Sequence, residues 1–586
     1  METIRIAHLS KLLQGKLIAA EVEGVSLVIL KNKEEISIFQ GECPHQGALL
    51  SEGTIENGAI VCSGHGWRFD CSSGKRVQNS NTCLKKFTAC IQDEYVTVKK
   101  DEILAWKQQI QKKEMTSSES TTQPFKKLPR PKGVPFLGNI LQVDKKRIHV
   151  TLEKWADIHG SMYQFQLAHK KIVVVSDPEL IGEILRKRPN TYRRLSVMES
   201  IFQDMNVRGV FSAEGDRWRK QRRVVMHALN TNHLRNFYPT LVKVTERLKK
   251  RWDHSIDSSP KKILLDLMRY TVDVTTNLAF GYDINTLEEK EEVIQQHLEK
   301  IFPAIHYRIS APIPYWRFFK LSIDHALDKA LDAVRKEIKN IIAHCAQKLA
   351  QNPELMENPT NFLEAMMVAR EKEDAEFTDD DIFGNVVTIL LAGEDTTAGT
   401  LAWMMSYMTK YPEVQNKMQQ EADAILGDAK VLQNFHDVDK LSYMEAVANE
   451  TMRLKPVAPL LFMETTKNVD LGGYDIAAGT PIFLLTRHCS LQDDAFTSAR
   501  EFQPQRWLTP PSSGQSHNLK AFLPFGAGPR FCPGRNLALL EIKTVMAMLC
   551  KNFSITSKET LSQNDEILSF TMMPSNLFVS FHQREQ

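Results

Sequence analysis

The sequence predicts a multidomain protein in which a small all-β domain is followed by a large, mainly α-helical one. Three observations carry that expectation. At 586 residues and 66.9 kDa the chain is too long for one ordinary hydrophobic core. Its first hundred residues run in short β-branched or alternating stretches punctuated by Gly and Asn-Gly. From Pro124 onward the pattern is mostly helical and is interrupted by proline-rich turns.

Taken in order, residues 16–22, 25–30, 35–39, 59–62 and 95–99 read as strands, so residues 1–100 form the β domain. Its charge is balanced, with 12 Lys+Arg against 11 Asp+Glu. Residues 101–114 read as a short polar helix carrying Leu104 and Trp106. Residues 115–123 have no core-forming pattern and read as a flexible linker spanning about 17 Å. Residues 101–125 thus separate the β domain from a second domain, 126–586, which opens with Pro129, Pro131 and Pro135. A long helix is expected over 379–410, where Thr378 is a good N-cap, Asp381 stands three residues on, and Pro412 ends the run. At 1.5 Å per residue it would be about 48 Å long. Another helix must stop near Pro456, and an apolar one is expected over 535–550. The chain has no repeat of solenoid period.

Composition narrows the function. Hydrophobic residues at 42% and charged residues at 25% are globular proportions, which exclude a disordered tail, a collagenous fibre and a disulfide miniprotein. Lys+Arg 74 against Asp+Glu 71 leaves +3, too little basic excess for a general nucleic-acid binder. The polar, mixed opening is unlike a signal peptide, and no later segment has the roughly 18 apolar residues of a transmembrane helix. The expected compartment is the cytoplasm. There, nine sparse Cys point to metal binding or catalysis rather than to disulfides.

The β domain contains a Cys followed closely by a His, twice: Cys43-Pro-His45 and, 16 residues later, Cys62-Ser-Gly-His65. Each pair lies at a turn between strands, so two thiols and two imidazoles can be aimed at one point. Such a set suits zinc as well as iron and sulfide, although no helix carries a terminal His pair as in a zinc finger. The pattern, with Gly47, Gly64 and Gly66-Trp67, resembles the Rieske iron–sulfur family. That resemblance implies a [2Fe–2S] cluster with Cys43 and Cys62 on one iron and His45 and His65 on the other. Respiratory-chain members add a Cys to each loop, whereas Gln46 and Gly64 stand there in this chain. The likeness is to the ferredoxin type, with a potential toward the low end of the roughly −150 to +300 mV range. Cys71, Cys83 and Cys90 are expected to be buried apolar filler.

Near the C-terminus, Phe525-Gly526-Ala-Gly-Pro-Arg530-Phe-Cys532-Pro-Gly534 precedes the apolar helix. Its glycines let backbone approach a flat ligand, and Cys532 precedes a helix N-terminus that favours a thiolate. A redox-sensing Cys also fits; a phosphate loop does not, since neither Gly-Lys-[Ser/Thr] nor G-x-G-x-x-G is present. The loop matches F-x-x-G-x-R-x-C-x-G and resembles the haem-thiolate signature of the cytochrome P-450 family. The resemblance implies haem b with Cys532 as proximal ligand, Arg530 on a propionate, and a fold covering 126–586. It further implies that Phe525 and Gly526 line the haem.

Within the long helix, Ala392-Gly393-Glu394-Asp395-Thr396-Thr397 breaks the rules for an apolar helix interior. Gly393 could be a packing notch, or the run a functional site. It resembles that family's oxygen-binding helix, which implies that Asp395 and Thr396 pass protons, by way of water, toward dioxygen. Glu450-Thr-Met-Arg453 resembles the family's E-x-x-R motif, and Phe502-Gln-Pro-Gln-Arg506 the segment after it. Glu450, Arg453 and Arg506 would then form a buried structural triad. Trp218 and Arg222 match W-x-x-x-R, whose Trp and Arg contact propionates; equally, Trp218 suits a core. Arg222 belongs to a basic run with Arg217, Arg219, Lys220 and Arg223 that suits a solvated or partner-docking face. Met463 stands where many members have a propionate-binding Arg.

Taken together, the resemblances imply a monooxygenase that inserts one oxygen atom of O2 into a lipophilic small molecule. The fused cluster would relay electrons from an external NAD(P)H-dependent flavin reductase, because the chain has no nicotinamide fingerprint of its own. Two other readings are a haem and iron–sulfur redox sensor, disfavoured by Asp395 and Thr396, and a Rieske non-haem oxygenase, for which no two-His-one-carboxylate set is evident. The pocket is expected between helices, around 191–210 and 302–316, whose apolar content suits a fatty acid, terpenoid or steroid.

Overall fold

The computed structural model describes the chain except residues 1, 33–34, 65, 78–81, 116–122, 257–258, 289–300, 302–303, 306, 310, 312, 358, 373–376, 510–514, 559–565 and 585–586. The linker expected over 115–123, His65, and Phe302 and Pro303 of the expected pocket lie wholly or mostly outside the described residues.

Among the described residues, ten strands build the first domain: β1 Thr3–His8, β2 Leu17–Val22, β3 Val25–Asn32, β4 Glu35–Gln40, β5 Thr54–Glu56, β6 Ala59–Val61, β7 Arg68–Asp70, β8 Lys86–Phe87, β9 Ala89–Gln92 and β10 Tyr95–Lys99. They form three antiparallel sheets in the orders β1-β10-β9, β2-β3-β4-β8 and β5-β6-β7. Alternation along β3 sends Val28 and Leu30 to one core, with Phe39, Ile60 and Phe69, and Leu27 and Ile29 to another, with Val96 and Val98. Helix α1, Lys100–Met115, continues directly from β10 and seals the second core with Ile103. Strand β1 was not anticipated, although Ile4 and Ile6 alternate with polar neighbours in the manner of a half-buried strand.

The second domain combines a sheet with a larger helical body. The sheet uses β11 Met162–Leu167, β12 Lys170–Val175, β13 Tyr192–Arg194, β14 Leu461–Thr465 and β15 Pro481–Leu484, in the order β11-β12-β15-β14-β13. Only β12 and β15 run parallel. A hairpin, β16 Glu566–Leu568 and β17 Met572–Pro574, lies nearer the C-terminus. The helices that position the site are α2 Pro178–Arg186, α3 Gly215–Ala228, α4 Thr231–Asp253, α5 Leu264–Phe280, α6 Asp379–Lys410, α7 Ser442–Leu454 and α8 Arg535–Asn552.

Helix α6 begins as its sequence predicts. The Thr378 hydroxyl accepts from the Asp381 amide at 3.2 Å, and the Asp381 carboxylate accepts from the Thr378 amide at 3.0 Å. The helix is buried through most of its length against α5. Gly393 makes that contact possible: a Cβ there would lie 2.5 Å from the Thr275 hydroxyl of α5. Gly393 is therefore a packing notch, and it lies within the run 392–397. Among the described residues, no helix is long and apolar enough to cross a membrane.

Candidate functional site

Two near-identical turns carry the thiols of the β domain. In the first, the Cys43 amide donates to Ala48 O at 2.8 Å and the Gly47 amide to Cys43 O at 2.9 Å. In the second, the Cys62 amide donates to Trp67 O at 2.8 Å and the Gly66 amide to Cys62 O at 2.9 Å. The fifth residue of each turn is a glycine at positive φ, +74° for Gly47 and +68° for Gly66, a conformation other residues adopt at a cost. Both Cys are buried and face one another: the Cys62 side chain, together with burial, pushes the Cys43 thiol far above its ordinary range. The His45 ring stacks on Trp67 with centroids 4.3 Å apart, and the Arg76 guanidinium lies 3.5 Å over the same indole. Burial, then Arg76 and Lys520, push His45 down to about 4, so the imidazole is neutral, the form that ligates metal. A pair of facing buried thiols with a neutral imidazole beside them fits a thiophilic iron–sulfur group.

Of the three further Cys in this domain, only Cys71 is the buried filler anticipated. Cys83 is exposed and Cys90 half-buried, because they lie on short edge segments rather than under a sheet.

Cys532 sits at the start of α8 in a loop folded back on itself, its amide donating to Phe525 O at 2.9 Å. Burial raises its thiol. The amides of Gly534 and Arg535 and the cations Arg222 and Arg535 act against that and favour the thiolate. Phe525 is half-buried with the Arg535 guanidinium 5.8 Å over its ring, and Gly526 has φ +72° and open space where a Cβ would be.

Around this loop the structure gathers more buried cations than it supplies anions. Arg530 donates to Glu214 at 2.6 Å and to Ala213 O at 2.8 Å and lies 4.4 Å over Trp218, yet its Nε has no partner among the described residues. Arg188 has two such nitrogens, Nε and Nη2, and Arg194 has one, Nε. Burial and mutual repulsion push Arg188 and Arg530 down to about 9 and Arg194 to about 10. Three buried guanidiniums sharing Glu214, with orphaned N–H groups, fit a bound dianion such as the two propionates of haem. The residues present therefore fit the group. In the β13–β14 pair, Arg194 is the direct cross-strand partner of Met463. The positive charge that β14 lacks stands one strand away.

Arg222 has a different partner from the propionates expected of it. Its Nε and Nη2 donate to the two carboxylate oxygens of Glu52 at 2.9 and 3.0 Å, and its Nη1 donates to Phe531 O at 2.7 Å. Of the basic run, Arg222 and, at the rim, Arg219 face the β domain of the same chain, whereas Arg217 pairs with Asp381 of α6. Nothing in the sequence flagged Glu52, because its partner is 170 residues away.

The long helix separates its two polar candidates. Asp395 is buried, and that burial pushes its carboxyl up to about 6. Thr396 donates to Ala392 O at 2.7 Å, four residues back along α6. Burial raises Glu541 on α8 to about 8.

Glu450, Arg453 and Arg506 come together in a buried knot. Arg453 grips Glu450 bidentately at 2.8 and 2.9 Å, and Arg506 Nε donates to the same carboxylate at 3.1 Å. Trp507 Nε1 and the Gln503 amide, both at 2.9 Å, complete its partners. Arg453 also donates to Ser490 O and Ala499 O, which ties α7 to the loops that lead to Cys532. Full satisfaction of this kind is what makes a buried ion network tolerable.

Comparison with known proteins agrees with this geometry. The family model for cytochrome P450 matches residues 128–581, and the model for the Rieske [2Fe-2S] domain matches residues 2–88. Protein LUTEIN DEFICIENT 5, chloroplastic, of Arabidopsis thaliana is 26% identical over 445 residues, covering 74% of this chain and 72% of its own length. Trans-cinnamate 4-monooxygenase of Glycine max is 27% identical over 454 residues, covering 75% of this chain and 89% of its own length. A self-sufficient cytochrome P450 monooxygenase of Aspergillus niger is 27% identical over 439 residues, 73% of this chain and 40% of its own length. With a half-buried Cys loop beside cations that keep orphaned N–H groups, and a thiol-bearing β domain seated on it, this chain belongs to the cytochrome P450 family as a haem-thiolate monooxygenase joined to a Rieske [2Fe–2S] domain.

Proposed function

We propose that the chain inserts one oxygen atom of O2 into a lipophilic small molecule, with its own cluster passing electrons to its own haem. In this reading an external NAD(P)H-dependent flavin reductase feeds the cluster, and the protein works in the cytoplasm. Residues 1–100 are the electron carrier, 101–125 a helix and linker, and 126–586 the oxygenase. Cys43, Cys62, His45 and His65 hold the cluster, and Cys532 holds haem b. Haem bound through a thiolate supplies oxygen activation that favours O–O cleavage.

The chain's own residues perform the rest. Arg188, Arg194 and Arg530 orient the haem edge through its carboxylates. Phe525 and Gly526 leave the loop flat enough for a planar ring. The Asp395 carboxyl, at about 6, holds a proton over part of the physiological range and can release it. Thr396 offers the neighbouring hydroxyl. Glu450, Arg453 and Arg506 keep the loop before Cys532 in place. Ala304 and Ile305 are buried in the main apolar cluster and Ile309 packs against it, while Ile313 is 60% exposed and belongs to the surface.

The observation that carries the reading is the junction. Phe531 and Met226 of the helical domain share one apolar cluster with Cys43 and Cys62, and the buried Arg535 guanidinium feels both the Cys62 and Cys532 thiols. Two electron-carrying sites built against one another need no diffusing carrier between them. The test is His65→Ala in the full chain. Haem content should stay normal while reductase-driven turnover stops; turnover at the wild-type rate would mean that electrons reach the haem by another route.

A further inference from the structure

The junction also has the character of a permanent seat. Glu52, in the short turn after the first thiol loop, is buried, as is Arg222, and the two meet through a planar two-bond fork. The third edge of the same guanidinium grips Phe531 O, the carbonyl immediately before Cys532. A main-chain bond crosses the junction as well, with the Gly528 amide donating to Gln46 O at 2.8 Å. Close approach is enforced from the β domain: a Cβ at Gly47 would lie 2.9 Å from the Arg186 side chain and 3.6 Å from the Gly528 Cα. At the rim, Glu21 and Arg219 stand 4.0 Å apart. A carrier that visits and leaves is held by exposed charges of this last kind; a desolvated ion pair, an apolar cluster and a main-chain bond are costly to break repeatedly.

We propose that Glu52 is a positioning residue for electron transfer: it latches the iron–sulfur domain in a fixed seat on the Cys532 loop. The cluster is filled and emptied without leaving that seat, and no separate carrier gains the face behind Cys532. The proposal rests on the relay reading above. Each transfer moves one electron from the reduced cluster to the haem iron, makes and breaks no bond, and is balanced by one electron from the flavin reductase.

The test uses the holoprotein. In Glu52→Gln, cluster and haem content should be unchanged, and dithionite should still reduce the haem. Transfer from the pre-reduced cluster, followed by rapid mixing, should slow at least tenfold, and the radius of gyration from X-ray scattering should rise. Glu52→Asp should recover part of both. A second protein carries Glu21→Cys and Arg219→Cys, with exposed Cys83 and half-exposed Cys90 changed to Ser, and is clamped by a short bismaleimide. Its reductase-driven turnover should stay within twofold of the unclamped protein. Loss of turnover on clamping would overturn the fixed seat, as would a Glu52→Gln protein with unaltered scattering and transfer. If the wild-type cluster never discharges into the haem, the relay reading fails, and the seat is then judged on scattering alone.

Discussion

Asp395 shows what burial does to one carboxyl. Raised to about 6 in the folded protein, it compares with about 3.9 for a free Asp side chain. The folded state therefore holds this proton more tightly. The stability it contributes is fully present below about pH 4 and is lost as pH rises through 6, about 2–3 kcal/mol in all. Asp395→Asn should remove that loss: it should melt higher than wild type at pH 7.5, with the difference shrinking toward pH 4. An equal gap at both pH values in calorimetry would contradict the assignment. The same variant should divert electrons to hydrogen peroxide during turnover. At this scale the sequence was most readable where chemistry demands one residue type. Cys43 and Cys62 stand in matching turns in the sequence, and the structure brings their side chains together. The partner of Arg222 was not readable, because a guanidinium has several suitable acceptors and only the fold chooses Glu52.

Helix α6 was legible from cap to end, since Thr378, Asp381 and Pro412 are local signals that need no tertiary partner. The meaning of Gly393 was not local. It depends on Thr275 of α5, which occupies the space where a Cβ would go. Gly393→Ala should therefore force the two helices apart and cost about 1–3 kcal/mol by overpacking, despite alanine's better helix propensity. Adding Thr275→Ala should restore most of the loss. A single mutant that gains stability, as propensity alone would give, would show that the helices are not in contact there. The short strands β5, β7, β8 and β9 were the least legible elements. At two to four residues each they are fixed by pairing with neighbours rather than by their own alternation.

At the scale of the molecule, the order of domains could be read, but their mutual placement could not. Linker statistics set only a reach of about 17 Å. The junction is made by main-chain groups at Gln46 and Gly528 and by a charge pair distant in sequence, neither of which leaves a pattern. What the whole chain should contain is nonetheless plain: two irons with acid-labile sulfide, and one haem. Elemental analysis that found zinc without sulfide would reject the assignment of the β domain. Two cations of the basic run on α3, Arg222 and Arg219, face carboxylates of the β domain, Glu52 and Glu21.

The ring of guanidiniums near Cys532 has a consequence for how the protein comes into being. Arg188, Arg194 and Arg530 repel one another, and Glu214 alone cannot neutralise them. A bound dianion turns that repulsion into attraction, so prosthetic-group uptake acts as a folding ligand as well as a functional one. Nascent chains made faster than the cell supplies porphyrin would carry this surplus charge unrelieved. Protein yield should then follow porphyrin supply, and the residence time of the porphyrin should set the working lifetime of the molecule.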